Sequence, residues 1–409
     1  MKILQVGNTD AYGERFNGTD LSKKLRLSGV KSQYCVWDKS TNDKNVWQIA
    51  DFKKRDDLNK KISSAEKKLS LQSLLYPWTF QLLFDKRFRK ADLVHYHLIH
   101  SANFNIAALP LLSRMKPSVW TLHDPWAMTG HCIHPLGCER WRTGCEKCPR
   151  IDVPIPMKDD RTRFMWKTKS FLFRHSKIDI IVASKWMLNL VKSSPLMSKL
   201  KVHLIPFGLD LKTFRPLNSQ LSKKKLGISP DSFVIAFRAI NVEFKGLNFI
   251  KKVLRQLNSK RKICLLTFND KGLMDKFKDK YQIVDLGWID DEKYLVTAYN
   301  AADVFLMPSL AEAFGMMAIE AMACGKPILT FKGTSLEEVI HAPEGGIAVP
   351  MGDTNGLKIE IERLLKRPIL VRQMGTKARK LAIKYYDEKT YLKRLMSLYK
   401  EVIRDRAKN

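Results

Sequence analysis

Short apolar runs alternate with stretches of helical period along the whole chain. Runs rich in branched and aromatic residues cover Ile3 to Val6, Tyr34 to Trp37, Leu93 to His97, Val119 to Leu122, Ile178 to Ala183 and Val202 to Ile205. A second set covers Phe233 to Phe237, Ile263 to Phe268, Ile283 to Trp288, Val304 to Met307, Pro327 to Phe331 and Ile347 to Val349. Brief, nearly continuous apolar runs are what strands buried on both faces require. Helical patterns lie between most of them, most clearly Asn17 to Leu27, Leu247 to Leu257, Asp290 to Asn300 and Phe314 to Ala323. Thr334 followed by Glu337 reads as a capping box opening another helix. Strand–helix alternation predicts an α/β protein with parallel sheets covered by helices. Twelve strands exceed one comfortable sheet. They divide at a polar stretch from 208 to 231, flanked and interrupted by Pro206, Pro216 and Pro230 and carrying the run Ser222-Lys223-Lys224-Lys225. Residues 1–207 and 208–385 are therefore expected to form two Rossmann-like domains, with a terminal helix of about 386–409 packing back on the first. Two such domains facing each other would leave a cleft between the carboxyl ends of their strands.

Composition narrows the class. The 409 residues are 45% hydrophobic, a globular share. No apolar stretch approaches the roughly 18–20 residues of a spanning helix. The start, Met1-Lys2-Ile3-Leu4-Gln5-Val6-Gly7, reads as a core strand and lacks the parts of a secretory signal. The expected place is the cytoplasm, with the inner face of the membrane as a peripheral site. Lysine plus arginine is 72 against 41 acidic residues, a formal charge of +31. Nucleic acid, an anionic membrane surface and phosphorylated substrates all fit this excess, as does a solvated lysine-rich surface. Cations cluster from Lys53 to Lys68 and from Lys86 to Lys90, and mix with aromatics from Arg161 to Lys177. The last pattern suits a lipid headgroup region or stacking on single-stranded nucleic acid. No helix-turn-helix, zinc-finger spacing or RNA-recognition signature is present, so no specific nucleic-acid partner is expected.

The segment from Glu312 to Glu320 carries the strongest chemistry. It follows the strand Val304 to Met307 and the loop Pro308-Ser309-Leu310-Ala311, and it opens a helix ending near Cys324-Gly325-Lys326-Pro327. Glu312 falls on the loop after a strand, and Glu320 about two turns into the helix. Gly315 lets backbone N–H groups approach a ligand, and a helix N-terminus favours phosphate. The whole string, Pro-Ser-x-x-Glu-x-Phe-Gly followed by Glu-Ala-Met-Ala-Cys-Gly-Lys-Pro, resembles the retaining glycosyltransferases of family 4. The resemblance extends over nearly the whole chain and is most specific from Ala301 to Pro350. It implies the GT-B fold of two Rossmann-like domains and a nucleotide diphosphate-sugar donor.

Residue by residue, the resemblance implies further roles. Glu320 binds the nucleotide ribose, and Glu312 holds sugar hydroxyls beside the reacting carbon. Arg238 and Lys245, in Phe237-Arg238-Ala239-Ile240-Asn241-Val242-Glu243-Phe244-Lys245-Gly246, resemble the basic pair that grips the donor diphosphate. His123, in Thr121-Leu122-His123-Asp124, resembles the family histidine near the donor sugar. Its other reading is a satisfied structural histidine beside Asp124. Ser184 resembles another cleft-edge position, and Pro206-Phe207-Gly208-Leu209-Asp210 the interdomain crossover, with Phe207 where Asn is usual. The loop from Gly7 to Gly18 stands where a glycine-rich loop is expected but lacks adjacent glycines. Gly18, opening the first helix, could admit a donor phosphate or the acceptor.

Seven cysteines cannot all pair with one another. Cys35, Cys264 and Cys324 are dispersed and read as packing residues. Cys132, Cys138, Cys145 and Cys148 lie within seventeen residues and end in Cys-x-x-Cys, a donor set suited to a structural zinc, with His131 and His134 as substitute ligands. Disulfides or redox-labile thiols, and packed free cysteines, are the other two readings. Four protein ligands would leave no open position, so no catalytic metal is expected there, and the resemblance implies none for transfer.

The resemblance implies an enzyme that moves a sugar to an acceptor hydroxyl with retention, in cell-surface polysaccharide or glycolipid assembly. The acceptor is expected to be a saccharide or a lipid-linked saccharide. A phosphorylase of the same fold, transferring sugar to or from phosphate, is the alternative within enzymes. A non-catalytic polyanion-binding protein is the remote one.

Overall fold

The computed structural model describes residues 1–11, 18–100, 104–152 and 155–408. The chain forms two compact units. One comprises residues 1–205 with 392–409, the other 206–391. Each is built on a parallel sheet, which makes the protein α/β.

The first unit holds β1 (Lys2–Thr9), β2 (Lys31–Asp38), β3 (Val46–Gln48), β4 (Leu93–Tyr96), β5 (Ser118–Thr121), β6 (Asp179–Val182) and β7 (Val202–Leu204). They lie side by side in the order β3-β2-β1-β4-β5-β6-β7. Each pairing is parallel. β1 and β4 are adjacent in the sheet but not along the chain. Chain order therefore reverses between them, and a ligand crevice opens at such a point, at the carboxyl ends of the strands. The residues 392–409 that close this unit are held by their side chains. The Tyr399 hydroxyl meets His95 Nδ1 at 2.6 Å, Lys201 pairs with Glu401 at 2.6 Å, and Arg406 reaches the carbonyls of Ser113 and Arg114.

The second unit holds β8 (Phe233–Arg238), β9 (Ile263–Phe268), β10 (Gln282–Asp285), β11 (Val304–Met307), β12 (Ile328–Phe331) and β13 (Gly346–Val349). Their order is β10-β9-β8-β11-β12-β13, again parallel, with the reversal between β8 and β11. The helix Leu247–Gln256 shows why this sheet is covered. It buries Leu247, Ile250, Val253 and Leu254, one helical face, against the core containing Phe233, Ile235 and Leu265. Each fully buried aliphatic side chain contributes about 1.5–3 kcal/mol.

All twelve apolar runs contain strands. The thirteenth strand, β3, is three residues long between polar segments, too short to carry a periodic signal. The stretch from 208 to 231 differs from a plain linker. It forms the helix Ser219–Lys225, capped by the Asn218 side chain on the Leu221 N–H. Its lysine run is not uniformly solvated. Lys223 is 3% exposed and donates to Asp303 at 3.0 Å and to the Ser232 carbonyl at 2.8 Å. A half-buried carboxylate ahead of β11 makes this part of the charge run an anchor. Thr334 does cap its helix by accepting from Leu336, but Glu337 reaches the N–H of Gly333 and not that of Thr334.

Candidate functional site

In the second unit, four of the singled-out residues meet at the reversal between β8 and β11. β8 ends in Arg238, and the segment after it turns through a short helical stretch, Glu243–Lys245, into the helix Leu247–Gln256. β11 runs into the loop 308–315, which ends at Gly315 as the cap of the helix Met316–Ala323. The two loops are locked together. The Leu310 N–H donates to the Phe244 carbonyl at 2.8 Å. Gly246, at φ +79°, packs so closely on Pro308 that a Cβ there would lie 1.9 Å from its carbonyl oxygen. Gly246→Ala should therefore destabilise the second unit by about 3 kcal/mol, from positive-φ strain and overpacking together. Chemical denaturation checks this; an unchanged midpoint would mean that the loops yield.

Lys245 Nζ lies 2.7 Å from a Glu312 carboxylate oxygen, and both side chains are partly buried. Burial lowers the pKa of Arg238 from its ordinary value while the Glu312 carboxylate opposes that shift, so the two groups lie within each other's field. Glu312 is held from behind by its backbone, whose carbonyl accepts from the Ser335 hydroxyl at 2.8 Å. Its side chain folds over Gly315: a Cβ on that glycine would sit 3.5 Å from Glu312 Cγ and 2.5 Å from Leu336. Gly315, at φ +97° and packed under Leu336 and Glu312, is thus a position that only glycine fits, next to the carboxylate that Lys245 and Arg238 face. Phe314 anchors the loop edge-on against Phe207 and Tyr386, with ring centroids at 5.1 and 5.8 Å. Glu320 sits deeper, 1% exposed, and its Oε2 accepts from the Tyr299 hydroxyl at 2.7 Å. Backbone amides and cations placed together in this way can receive a diphosphate, and the carboxylates can accept from hydroxyls.

In the first unit, the carboxyl ends of β4 and β5 carry a group of histidines. His95 and His97 are two apart and so share one face of β4, with ring centroids 4.1 Å apart. His95 is held by Thr121 Oγ1 at 2.7 Å and by Tyr399. His97 Nε2 meets Gln5 Oε1 at 2.7 Å, and its Nδ1 lies 3.4 Å from His123 Nε2. The rings of His97 and His123 stack at 5.7 Å. Beside them, His100 pairs with Asp124 at 2.6 Å, and Asp124 caps the turn that follows by accepting from Trp126. Burial pulls His123 down to about 4 and leaves it a neutral imidazole at pH 7. Gly18 belongs to this group. A Cβ there would lie 2.8 Å from His97 Cδ2, and φ is +106°. In the sequence, His97 only closes the apolar run Leu93 to His97, so it does not stand out as a site residue. The pattern His-x-His in a strand that buries both faces was the available signal. Residues 12–17 of the preceding loop lie outside the described residues. Ser184 caps the helix Lys185–Ser193 by accepting from Met187 at 3.1 Å, which is a structural task.

The four clustered cysteines, with His131, line one small cavity of about 20 Å³. All four are free thiols. Burial pushes Cys132 up to about 12 and Cys145 up to about 11, and the Gly130 N–H donates to Cys145 Sγ at 3.3 Å. The donor set fits zinc in type. In arrangement it does not: among the described residues, no three His, Cys, Asp or Glu side chains are placed to hold an ion together. Cys35, Cys264 and Cys324 are buried, as packing residues are. Among the described residues, no helix is long and apolar enough to cross a membrane.

Residues 218–381 match the family described as Glycosyl transferases group 1. Among curated proteins, the chain is 27% identical over 262 residues to WcaC of Escherichia coli K12, whose name assigns it provisionally to colanic acid biosynthesis as a glycosyl transferase. That match covers 62% of each chain. It is 27% identical over 213 residues to an MMP alpha-(1->4)-mannosyltransferase of Mycolicibacterium hassiacum, covering 50% of this chain and 49% of that one. The chain thus spans about half to under two thirds of the length of these relatives. Solved structures match almost end to end. A sucrose-phosphate synthase from Thermosynechococcus elongatus has a TM-score of 0.69 at 18% identity, over 99% of this chain and 100% of that one. HepE of Anabaena, solved with UDP and glucose, has 0.67 at 15% identity, over 98% and 100%. At such identities these structures speak for the fold alone, two Rossmann-like units of the GT-B class.

Proposed function

We propose that this chain, whose residues 218–381 form a Glycosyl transferases group 1 domain, moves a sugar from a nucleotide diphosphate-sugar to an acceptor hydroxyl with retention of configuration. The observation that carries the reading is the Lys245–Glu312 pair beside Arg238, on the loops that meet ahead of the helix Met316–Ala323. Charge develops on the diphosphate as the bond from the anomeric carbon to its oxygen breaks. Lys245, Arg238 and the amides near Gly315 supply the compensating positive charge, so this chemistry asks for no metal. Glu312 accepts from the sugar hydroxyls and keeps the anomeric carbon in place. Glu320, steadied by Tyr299, accepts from the ribose. The acceptor oxygen forms the new bond on the face the diphosphate leaves, and its proton passes to the departing diphosphate.

The first unit, with His123 and the cysteine loop, is the acceptor side in this reading. A neutral His123 hydrogen-bonds sugar hydroxyls without adding charge. The product belongs to polysaccharide or glycolipid assembly, as the provisional name of WcaC suggests for that relative. The basic surface fits work at the cytoplasmic face of a membrane, where each cation near anionic lipid contributes about 1 kcal/mol.

A thermal-shift panel of UDP, GDP, ADP and CMP and their common sugars, at fixed salt, tests the donor. A ligand at 100 times its dissociation constant should stabilise the protein by about 2.7 kcal/mol. The expected result is a shift confined to one nucleoside diphosphate and reduced at least tenfold in affinity by Glu320→Gln, which preserves an acceptor for Tyr299. No shift with any of them in folded protein would overturn the donor site. Turnover that consumes inorganic phosphate and releases no nucleotide would identify the phosphorylase instead.

A further inference from the structure

The reversal points just described lie at the carboxyl ends of the strands. The first unit also has a cavity of about 600 Å³ at the opposite, amino ends of β1 and β2. Six of its lining residues are cations: Lys2, Arg26, Lys31, Lys86, Arg87 and Lys90, and none of the lining residues is acidic. Ile3, Leu4, Val30 and Ala91 contribute an apolar surface.

Two of the six cations are fixed. Arg26 is held by Asp43 at 2.8 Å and by Ser22 at 3.0 Å. Arg87 is held by Asp85 at 2.7 Å and lies 3.5 Å over the ring of Trp47. The other four are exposed lysines, and among the described residues none has a carboxylate within ion-pair distance of its ammonium. Four uncompensated cations around one concavity repel each other and focus a positive field into it. Such an arrangement does nothing for the fold. Three apolar side chains flank the cations along the chain: Leu27 at 89% exposure, Phe84 at 79% and Met1 at 37%.

We infer that this cavity is a second binding site, for a phosphate ester that also has an apolar part. The phosphate would sit among Lys2, Lys31, Lys86 and Lys90, with the fixed guanidinium groups beside it and the apolar portion on Ile3, Leu4 and Val30. The site is independent of the proposed transfer reaction and shares no residue with it. A phospholipid headgroup and a soluble phosphate ester share this chemistry. The exposed Leu27 and Phe84 add a reason for the lipid, since both would enter the acyl boundary.

The test uses the full chain at 150 mM salt and three proteins: the native sequence, Lys31→Ala/Lys90→Ala, and the control Lys366→Ala/Lys377→Ala. The control removes equal charge from exposed positions on the second unit. Binding is measured to vesicles of phosphatidylcholine with and without 30 mol% phosphatidylglycerol, and separately to octyl phosphate below its micellar concentration. The expected result is about thirty-fold weaker binding by the cavity variant alone. Loss on the vesicles alone assigns the site to lipid, and loss on octyl phosphate alone assigns it to a soluble ester. Equal weakening in both variants would show diffuse charge and overturn the site, as would no binding of either probe.

Discussion

Lys245→Ala should lower kcat by about 10²–10³-fold with the donor that the nucleotide panel identifies. It should also weaken binding of the corresponding nucleoside diphosphate. Glu312→Gln should lower kcat with little change in that affinity. The asymmetry follows from the pair itself. Without Glu312, Lys245 still faces the diphosphate. Without Lys245, a partly buried carboxylate faces it unscreened and repels it. The double variant should be no worse than Lys245→Ala, because both substitutions act on one coupled unit. Partly exposed pairs of this kind contribute only about 0–1 kcal/mol to stability. Both single variants should therefore melt close to the native protein, which separates lost chemistry from lost fold. If Lys245→Ala kept native kcat while Glu312→Gln did not, the proposed grip on the diphosphate would be wrong.

Mild acid should unfold the first unit well before the second. His95 and His97 are pulled well below their ordinary value by burial, and His123 to about 4. These groups stay neutral in the folded state and take up protons only on unfolding. A depressed histidine adds stability that is fully present above the unfolded value of about 6.5 and drains away as pH falls toward the folded value. Between pH 7.5 and 5.5 each group forfeits about 1.4 kcal/mol, so the three together forfeit at most about 4 kcal/mol. That is a large share of a typical domain's 5–15 kcal/mol. Eight of the nine tryptophans lie within residues 1–205 and only Trp288 lies in the second unit, so urea melts followed by tryptophan fluorescence report mainly on the first. The midpoint should drop steeply between pH 7.5 and 5.5, and His97→Gln should flatten the drop by about a third. A midpoint independent of pH in that window would mean that the histidines are solvated.

The parts of the molecule that were legible beforehand share a physical cause. Strands such as β8 and β9 are buried on both faces, so their sequences are continuously apolar and stand out between polar turns. Glu312 and Gly315 stand out in the sequence because they lie on the loop between an apolar strand and an apolar helix, inside a string that resembles a known family. What escaped depends on partners remote in sequence. β3 exists because it finds the edge of β2, with Tyr34 beside Val46. Lys223 is an anchor because Asp303, eighty residues on, meets it. His97 joins His123 and Gly18 only when β4 is laid between β1 and β5. The cavity at the amino ends of β1 and β2 gathers cations from three separate segments, and within each they look like ordinary surface charge. The four clustered cysteines, close in sequence, do come together around one small cavity.

The return of residues 392–409 to the first unit has a consequence for how the protein is made. Domains usually form in the order of synthesis, the earlier one first. Here the first unit has all its strands by residue 205, yet His95 meets Tyr399 across 304 positions of chain. At about 5–20 residues per second, roughly 10–40 s pass between the last strand of that sheet and the segment that covers it. During this interval the whole of the second unit is synthesised, and the face of the first that will receive Tyr399 stays uncovered. The unit begun first is thus the one finished last.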